Sequence, residues 1–218
     1  MGVFTLSLDC EGLWGMADKP AVVANGKIND QSLASAYRTV NETLSAHDIR
    51  ATAAFVSAFD VRPEALFEMR PLLTELAARA PRWFAAPLRA MEERDLDGWT
   101  GHAYHDAMRA AGHEMGWHGA THLALDEATS DAAVGIELEL AQKLFGALGY
   151  APKSVVYPRN LIGHQSRLRA AGFTTYRAAP DVSLRGRVSN LVQEFHLFDR
   201  RVSEQPRRDG DWNVSPSG

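Results

Sequence analysis

The sequence predicts an α/β protein in which parallel strands alternate with helices. Short apolar runs that suit buried strands lie between segments whose apolar residues recur at helical spacing. Such alternation is typical of parallel βα units, arranged either as a barrel or as an open sheet. Hydrophobic residues make up 45% and charged residues 23% of the 218 positions, a composition that suits one globular domain.

The predicted strands are short and mostly apolar, and polar or turn residues bound them. The first ends at an acidic cluster and therefore delivers Asp9 to a strand end, whereas Pro158 closes the third. Their composition indicates strands that are buried on both faces. The strands are predicted at residues 3–8, 51–57, 154–157, 173–176 and 191–198.

The predicted helices follow from apolar residues at spacings of three and four. Ser32 is predicted as the N-cap of the first helix, Pro71 kinks or splits the second, and Gly112 ends the third. The helices are predicted at residues 33–44, 64–80, 104–111, 134–148 and 165–171, with a loop at 12–29 and a less regular segment at 81–101.

The last segment of the chain is polar and lacks periodicity. From Arg200 onwards it contains adjacent arginines and several Pro, Gly and Ser residues, so we expect a loop or a disordered end. We therefore expect a domain at residues 1–199, followed by a polar tail or a truncated continuation at residues 200–218.

Charge and hydropathy exclude several classes of protein. No apolar stretch is long enough to span a membrane, and the N-terminus lacks the basic and apolar regions of a signal peptide. We therefore expect a soluble, cytoplasmic protein. The net charge of −4 and the dispersed basic residues argue against a nucleic-acid partner. A single cysteine, Cys10, excludes an internal disulfide.

Two histidines four residues apart give the strongest chemical signal. His118 and His122 lie in the segment GHEMGWHGATH, which follows the third predicted helix. Two such imidazoles can face one metal ion from a helix or a tight loop, and the flanking Gly116 and Gly119 favour a loop at a strand end. A pair of solvated histidines would be the simpler interpretation if the chain offered no further ligands.

An acidic pair offers those ligands. Asp9 and Glu11 end the first predicted strand, and residues two apart in an extended chain point to the same face. One carboxylate could complete a metal site with the two imidazoles, while the other could act as general base toward a water molecule. This donor set suits zinc, with cobalt, nickel and manganese as alternatives. An acidic surface turn is the competing interpretation of the pair alone.

Together these motifs resemble the polysaccharide deacetylases with a NodB homology domain, the carbohydrate esterase 4 type. SLDCE resembles the family's first motif and GHEMGWHGATH its second, while KSVVYPRN occupies the place of its third. ATAAFV and AAGFTTYRA resemble the family's second strand and a later segment. The match runs in family order over roughly residues 3–180.

The resemblance implies a fold and an activity. The fold is a distorted parallel β/α barrel, which this chain would complete differently or only in part. The activity is metal-dependent removal of an N-acetyl group from an amino sugar of a bacterial surface polysaccharide or its precursor. Carried over by position, Asp9 is the general base, and Glu11, His118 and His122 hold the metal. Exchange of roles between the two acids remains open, because the family commonly has adjacent aspartates.

The third motif and several aromatic residues add further expectations. Arg159 is displaced from the family's arginine position, and we expect its guanidinium to pair with the base carboxylate. Asn160 beside it is expected to contact substrate. Trp99 and Trp117 could stack on a sugar ring, with core packing as the alternative. In this family a histidine near the C-terminus protonates the departing amine, and His196 is the only candidate for it after His164. The favoured alternative is that His196 is a histidine of the sheet and that the acid is missing from this chain.

Two other functions remain open from the sequence. A related C–N hydrolase could act on a small amide or on a formamido sugar with the same residues. A degenerate carbohydrate-binding module could keep the pocket and lose catalysis. Stoichiometric metal without turnover of any N-acyl sugar would favour the binding module.

Overall fold

The computed structural model describes residues 5–178 and 207–215. Their strands form one mostly parallel sheet flanked by helices, which confirms the predicted α/β class. The strands are β1 (Ser7–Cys10), β2 (Thr52–Phe55), β3 (Glu114–Trp117), β4 (Ser154–Val155), β5 (Thr175–Arg177), β6 (Arg207–Asp209) and β7 (Trp212–Ser215). The helices are α1 (Pro20–Val23), α2 (Asp30–Ala46), α3 (Pro63–Glu68), α4 (Arg70–Arg79), α5 (Pro81–Glu93), α6 (His102–Ala110), α7 (Asp131–Leu148) and α8 (Gln165–Ala170).

The first five strands of the sheet are arranged in the order in which they occur in the chain. Strands β1 to β5 are successive parallel neighbours, β7 is parallel to β5, and β6 pairs antiparallel with β7. Since the parallel strands share one direction, their carboxyl ends meet at one edge of the sheet. Binding sites of α/β proteins form at that edge.

The sheet is strongly curved. Strands β1 and β5 are not hydrogen-bonded neighbours, yet Arg177 at the end of β5 donates a hydrogen bond to the Ser7 hydroxyl of β1 over 3.0 Å. Residues from all six parallel strands, β1 to β5 and β7, line one cavity of about 150 Å³. Curvature toward a barrel therefore brings β1 and β5 together, although backbone pairing closes no barrel within the described ranges.

The predicted helix at 64–80 is split at Pro71 as the sequence predicts, but the next segment is more regular than expected. Pro71 lies in the first turn of α4, and α3 ends just before it. The segment predicted as irregular at 81–101 instead contains α5, with Pro87 inside it. Phe84, Pro87 and Met91 are buried along one face of this helix. Burial of that face outweighs the backbone hydrogen bond that Pro87 cannot donate.

The N-terminus of α2 also differs from the prediction. Asn29, not Ser32, is the N-cap, and its side chain accepts from the backbone N–H of Ser32 over 2.8 Å. The Ser32 hydroxyl accepts from the Asn29 backbone N–H in return, which completes a reciprocal capping box. The predicted loop at 12–29 contains a 3₁₀ turn at Gly12–Met16 and the short helix α1.

The expectation of an unstructured end is wrong for residues 207–215. They form the β6–β7 hairpin, and β7 extends the sheet beyond β5. Gly210 adopts a φ of +55° in the two-residue turn, which suits glycine. Trp212 and Val214 are buried and alternate with the exposed Asn213, so the segment has the period of a half-buried strand.

Several predictions fall outside the described residues. The strand at 191–198, including His196, and residues 200–206 of the expected tail are among them. Of the helices that the structure describes, none combines the length and the apolar character needed to cross a membrane.

Candidate metal centre

The acidic pair lies where β1 ends. Asp9 is the third residue of β1, and Glu11 follows the strand directly. The buried Cys10 points into the core between them, so both carboxylates lie on the opposite, accessible side. At Gly15 a Cβ atom would come within 2.0 Å of Glu11 Oε1, and a glycine there therefore leaves room for this carboxylate.

The histidine pair lies in a loop that follows β3, as the sequence predicts. His118 is tied to the sheet by its backbone N–H, which donates to the Phe55 carbonyl over 2.9 Å. Gly119 has a φ of +80°, and a Cβ atom there would meet Pro158 Cγ at 2.9 Å. His122 also adopts a positive φ, of 64°. This tight turn directs both imidazoles toward Glu11.

A buried acid that the sequence analysis missed holds this loop. Glu137 of α7 accepts hydrogen bonds from the backbone N–H groups of Ala120 and Thr121, over 2.8 and 3.2 Å, and from the Thr121 hydroxyl. Burial raises the pKa of Glu137 to about 7, against the lowering effect of these hydrogen bonds. The sequence offered one signal for this role, because Glu137 is an acidic residue within the apolar face of α7.

Three donor atoms converge on one point. Glu11 Oε2 lies 2.9 Å from His122 Nε2 and 3.3 Å from His118 Nε2. In a tetrahedral site with bonds of about 2.0–2.1 Å, ligand atoms are separated by roughly 3.3 Å. The spacing of the three side chains therefore fits a small divalent cation.

The protonation states of the two histidines also suit metal binding. His118 Nδ1 lies 2.7 Å from the Val156 carbonyl, which can only accept, so this nitrogen carries the proton and Nε2 presents its lone pair. His118 Nε2 is buried and has no hydrogen-bond partner among the described residues. Burial lowers the pKa of His122 and so favours the neutral imidazole that a metal requires.

The Glu11 carboxylate is held in its charged form. Burial alone would raise its pKa, but the close approach of the His118 and His122 imidazoles outweighs this effect and lowers the pKa to about 2. A carboxylate that is ionised over the physiological range, beside two neutral imidazoles, is a typical donor set for zinc.

Asp9 is paired with an arginine that the sequence analysis did not select. Arg177 Nη1 and Nη2 donate to the two carboxylate oxygens of Asp9 over 2.7 and 3.0 Å. Arg177 Nη2 also donates to Asn160 Oδ1 over 2.9 Å. Asp9 Oδ2 lies 3.8 Å from His118 Nε2, farther than the Glu11 oxygen. The available signal was the arginine that ends strand β5 in the segment TTYRA.

The predicted pairing of Arg159 with Asp9 is wrong. Arg159 Nη2 instead contacts Asp18 Oδ1 at 2.5 Å, and its guanidinium lies 4.3 Å above the ring of Trp83. Trp83 in turn stacks beside His122, with 6.1 Å between ring centroids. Only the curvature of the sheet brings Arg177, and not Arg159, to Asp9.

The two tryptophans predicted to bind sugar are core residues. Trp117 is 1% exposed, stacks on Phe173 and donates its indole N–H to the Ser57 hydroxyl. Trp99 is 3% exposed and packs its ring edge against Trp14. Asn160, the third residue predicted to bind substrate, lies near Asp9 because both are held by Arg177.

The donor atoms open onto a shallow depression of about 240 Å³. Its lining includes both acidic and basic side chains. The residues that line it are Asp9, Glu11, Gly15, Met16, Lys19, His118, His122 and Arg159. The depression is smaller than the 300–1,000 Å³ that is usual for drug-sized ligands, so it suits one small group of a larger molecule.

Comparisons with known proteins give similarity of structure only. No protein-family model matches the sequence, and no curated protein matches it either. Among solved structures, the chain is similar to a protein assigned as a polysaccharide deacetylase from Mycobacterium smegmatis, at 13% identity and a TM-score of 0.49. That match covers 80% of this chain and 50% of the other, so this chain spans about half its length.

Two further solved structures are similar. IcaB from Ammonifex degensii matches at 13% identity with a TM-score of 0.46, over 80% of this chain and 58% of the other. The deacetylase PplD from Streptococcus pyogenes, solved with acetate, matches at 11% identity with a TM-score of 0.44. That match covers 85% of this chain and 68% of the other. Two of these three structures are described as deacetylases.

Proposed function

We propose that this chain is a metal-dependent hydrolase that removes an N-acetyl group from an amino sugar of a bacterial surface polysaccharide or its precursor. The observation that carries the proposal is that two carboxylates line one depression and have different partners. Glu11 faces the two imidazoles, whereas Asp9 is held by Arg177. A ligand and a base beside one open site are what metal-assisted amide hydrolysis requires.

Glu11, His118 and His122 would hold the divalent ion, with zinc as the first choice and cobalt, nickel or manganese as alternatives. Such an ion, when bound, supplies Lewis-acid polarisation of a carbonyl and acidifies water. The proton on His118 Nδ1 stays on the Val156 carbonyl side, which fixes the orientation of the ring.

Asp9 would take the proton from the attacking water. Arg177 occupies one lone-pair direction on each oxygen of Asp9, and a carboxylate has about four such sites. Acceptor capacity therefore remains on the side that faces the depression. The two-point contact fixes the plane of the carboxylate, as positioning of a general base requires.

The size and polarity of the depression suit an acetamido group. At about 240 Å³ it holds such a group with part of one sugar ring, and the rest of a polymer would lie outside. Lys19 and Arg159 line it and can donate hydrogen bonds to sugar hydroxyls.

One observation favours the binding-module alternative. Among the described residues that line the depression, no histidine other than His118 and His122 is present, and His196 lies outside the described ranges. A pocket without a group to protonate the departing amine would bind an N-acetylated sugar without cleaving it.

The test is acetate release from N-acetylglucosamine oligomers by the zinc-loaded chain, before and after removal of metal with a chelator. We expect release that stops on chelation and returns with zinc. Binding of the oligomers without release would favour the binding module. Release of formate from N-formyl sugars, without acetate release from N-acetyl sugars, would favour the related C–N hydrolase.

A further inference from the structure

A second group of donor side chains lies apart from the centre described above. Asp60 lies in the turn that follows β2, and its backbone N–H donates to the Val56 and Ser57 carbonyls. His102 and His105 lie in the first two turns of α6, three residues apart and therefore on one face of the helix. Both imidazoles face the Asp60 carboxylate.

The distances within this group are similar to those of the first centre, although the two imidazoles face different oxygens of the Asp60 carboxylate. His102 Nδ1 lies 3.4 Å from Asp60 Oδ1, and His105 Nε2 lies 3.3 Å from Asp60 Oδ2. One ligand atom from each residue falls within 4.8 Å of the other two. Separations near the roughly 3.3 Å edge of a tetrahedral zinc site leave room for an ion between the side chains.

The group is buried and incompletely paired. The Asp60 side chain is 3% exposed and that of His105 is 0% exposed. Asp60 Oδ1 and His102 Nδ1 face each other without a hydrogen-bond partner among the described residues. Unpaired polar atoms in such surroundings are costly unless a further group satisfies them.

A second carboxylate, that of Asp106, lies on the far side of both rings. Asp106 lies 3.5 Å from His102 Nε2 and 3.6 Å from His105 Nδ1, in each case the nitrogen that faces away from Asp60. These separations are longer than well-formed hydrogen bonds, and His105 Nδ1 has no hydrogen-bond partner among the described residues, so Asp106 acts on the two rings mainly through its charge.

We propose that Asp60, His102 and His105 bind a second transition-metal ion of the zinc class, which ties the start of α6 to the turn after β2. Two imidazoles and one carboxylate are borderline donors that prefer zinc or its neighbours to magnesium or calcium. The hydroxyl of Tyr150, which lies 2.6 Å from His105 Nε2, is the group that the ion displaces from this nitrogen. Because the Asp60 and His105 side chains are buried, we assign the ion a structural role.

The experiment measures zinc per chain by mass spectrometry of the metal, after loading the full chain with excess zinc and removing unbound ions. We expect about two ions per wild-type chain and about one in each of two double variants, H102Q/H105Q and H118A/H122A. His47→Gln removes an exposed imidazole outside both groups and should leave the zinc content unchanged.

A second measurement separates the new site from the first. In H118A/H122A, excess zinc should still raise the melting temperature, and the added H102Q/H105Q changes should abolish this rise. If H102Q/H105Q does not fold, the single change His102→Gln decides, because this side chain is 22% exposed and its replacement disturbs little packing. Wild-type zinc content in the folded His102 or His102/His105 variant would overturn the proposal.

Discussion

At the scale of residues, the two acids at the end of β1 differ in their partners. Asp9 accepts both hydrogen bonds of the Arg177 fork, while the Glu11 oxygen faces two imidazole nitrogens. Charge-assisted contacts of these two kinds suit different tasks, since an arginine orients a carboxylate and an imidazole pair shares a cation with it. The contacts therefore support the assignment of Asp9 as base and Glu11 as ligand.

Substitution of the acids by their amides should separate these roles. We expect Asp9→Asn to keep zinc and lose a factor of about 10²–10⁴ in acetate release, because an amide cannot accept the proton. Glu11→Gln should lose much of the zinc, because a neutral amide is a weak ligand. Metal analysis and rate measurements on the same preparations test both expectations. The opposite pattern would show that the two acids have exchanged roles.

The arginine that orients the base can be tested in the same way. We expect Arg177→Lys to lower kcat by at least about tenfold without loss of zinc, because an ammonium group cannot replace the two-point contact. Arg159→Lys should lower kcat less, since Arg159 contacts Asp18. Arg167→Lys, an exposed arginine of α8 that pairs with Asp131, is the matched control. A larger loss of kcat for Arg159→Lys would restore the role that the sequence predicts for it.

The sequence predicts the donors of this site but not their supports. Asp9, Glu11, His118 and His122 lie in short motifs whose chemistry is local. Arg177 lies 168 residues from Asp9, and no local pattern shows that the two meet. One arginine follows β4 and another is the last residue of β5, so the choice between them depends on the curvature of the sheet.

At the scale of elements, helix α7 supports the histidine loop. Its Glu137 side chain replaces the hydrogen bonds that the loop backbone cannot make within itself, and a buried carboxyl group there is favoured in its protonated form. A raised pKa in the folded state means that the stabilising contribution is complete below the unfolded pKa. It is lost as pH rises through the folded pKa.

Glu137 should therefore make stability depend on pH. Between pH 4.5, the ordinary value, and about 7, the raised value, wild-type stability should fall by roughly 3 kcal/mol more than that of Glu137→Gln. The amide has nearly the same shape and does not ionise. Urea unfolding of both proteins across this pH range measures the difference. Parallel pH profiles would contradict a protonated Glu137.

Element boundaries show which sequence signals are reliable. The break at Pro71 and the end of α6 near Gly112 are confirmed, because a missing N–H and a positive φ act locally. Helix α5 was missed because Pro87 argues against a helix, whereas the buried face of that helix is a tertiary effect. The β6–β7 hairpin was missed although its Gly210 turn was present in the sequence.

At the scale of the whole molecule, this hairpin is part of the sheet. Trp212 is 6% exposed and packs its ring against Tyr176 of β5, with 5.6 Å between centroids. The guanidinium of Arg169 lies 5.9 Å from the same ring. Through these contacts and its backbone pairing, β7 packs against β5, the strand that carries Arg177.

Truncation of that tryptophan should destabilise the entire domain. We expect Trp212→Ala to lower the free energy of unfolding by about 3–5 kcal/mol, the usual effect of losing a buried aromatic side chain. Asn213→Ala, on the exposed face of the same strand, should change it by less than about 0.5 kcal/mol. Chemical denaturation provides both values. If Trp212→Ala changed the free energy of unfolding as little as Asn213→Ala, the hairpin would contribute little to the stability of the fold.

The Arg177–Asp9 contact also sets an order of events during biosynthesis. Its two ends are separated by 168 positions, so loop closure across nearly the whole chain must precede it. A nascent polypeptide released before residue 177 would contain both acids and both histidines but not the clamp on the base. Such a chain could gather zinc early, whereas turnover would begin only after β5 has been synthesised and docked. Metal uptake and catalysis would thus start at different times in the life of the same molecule.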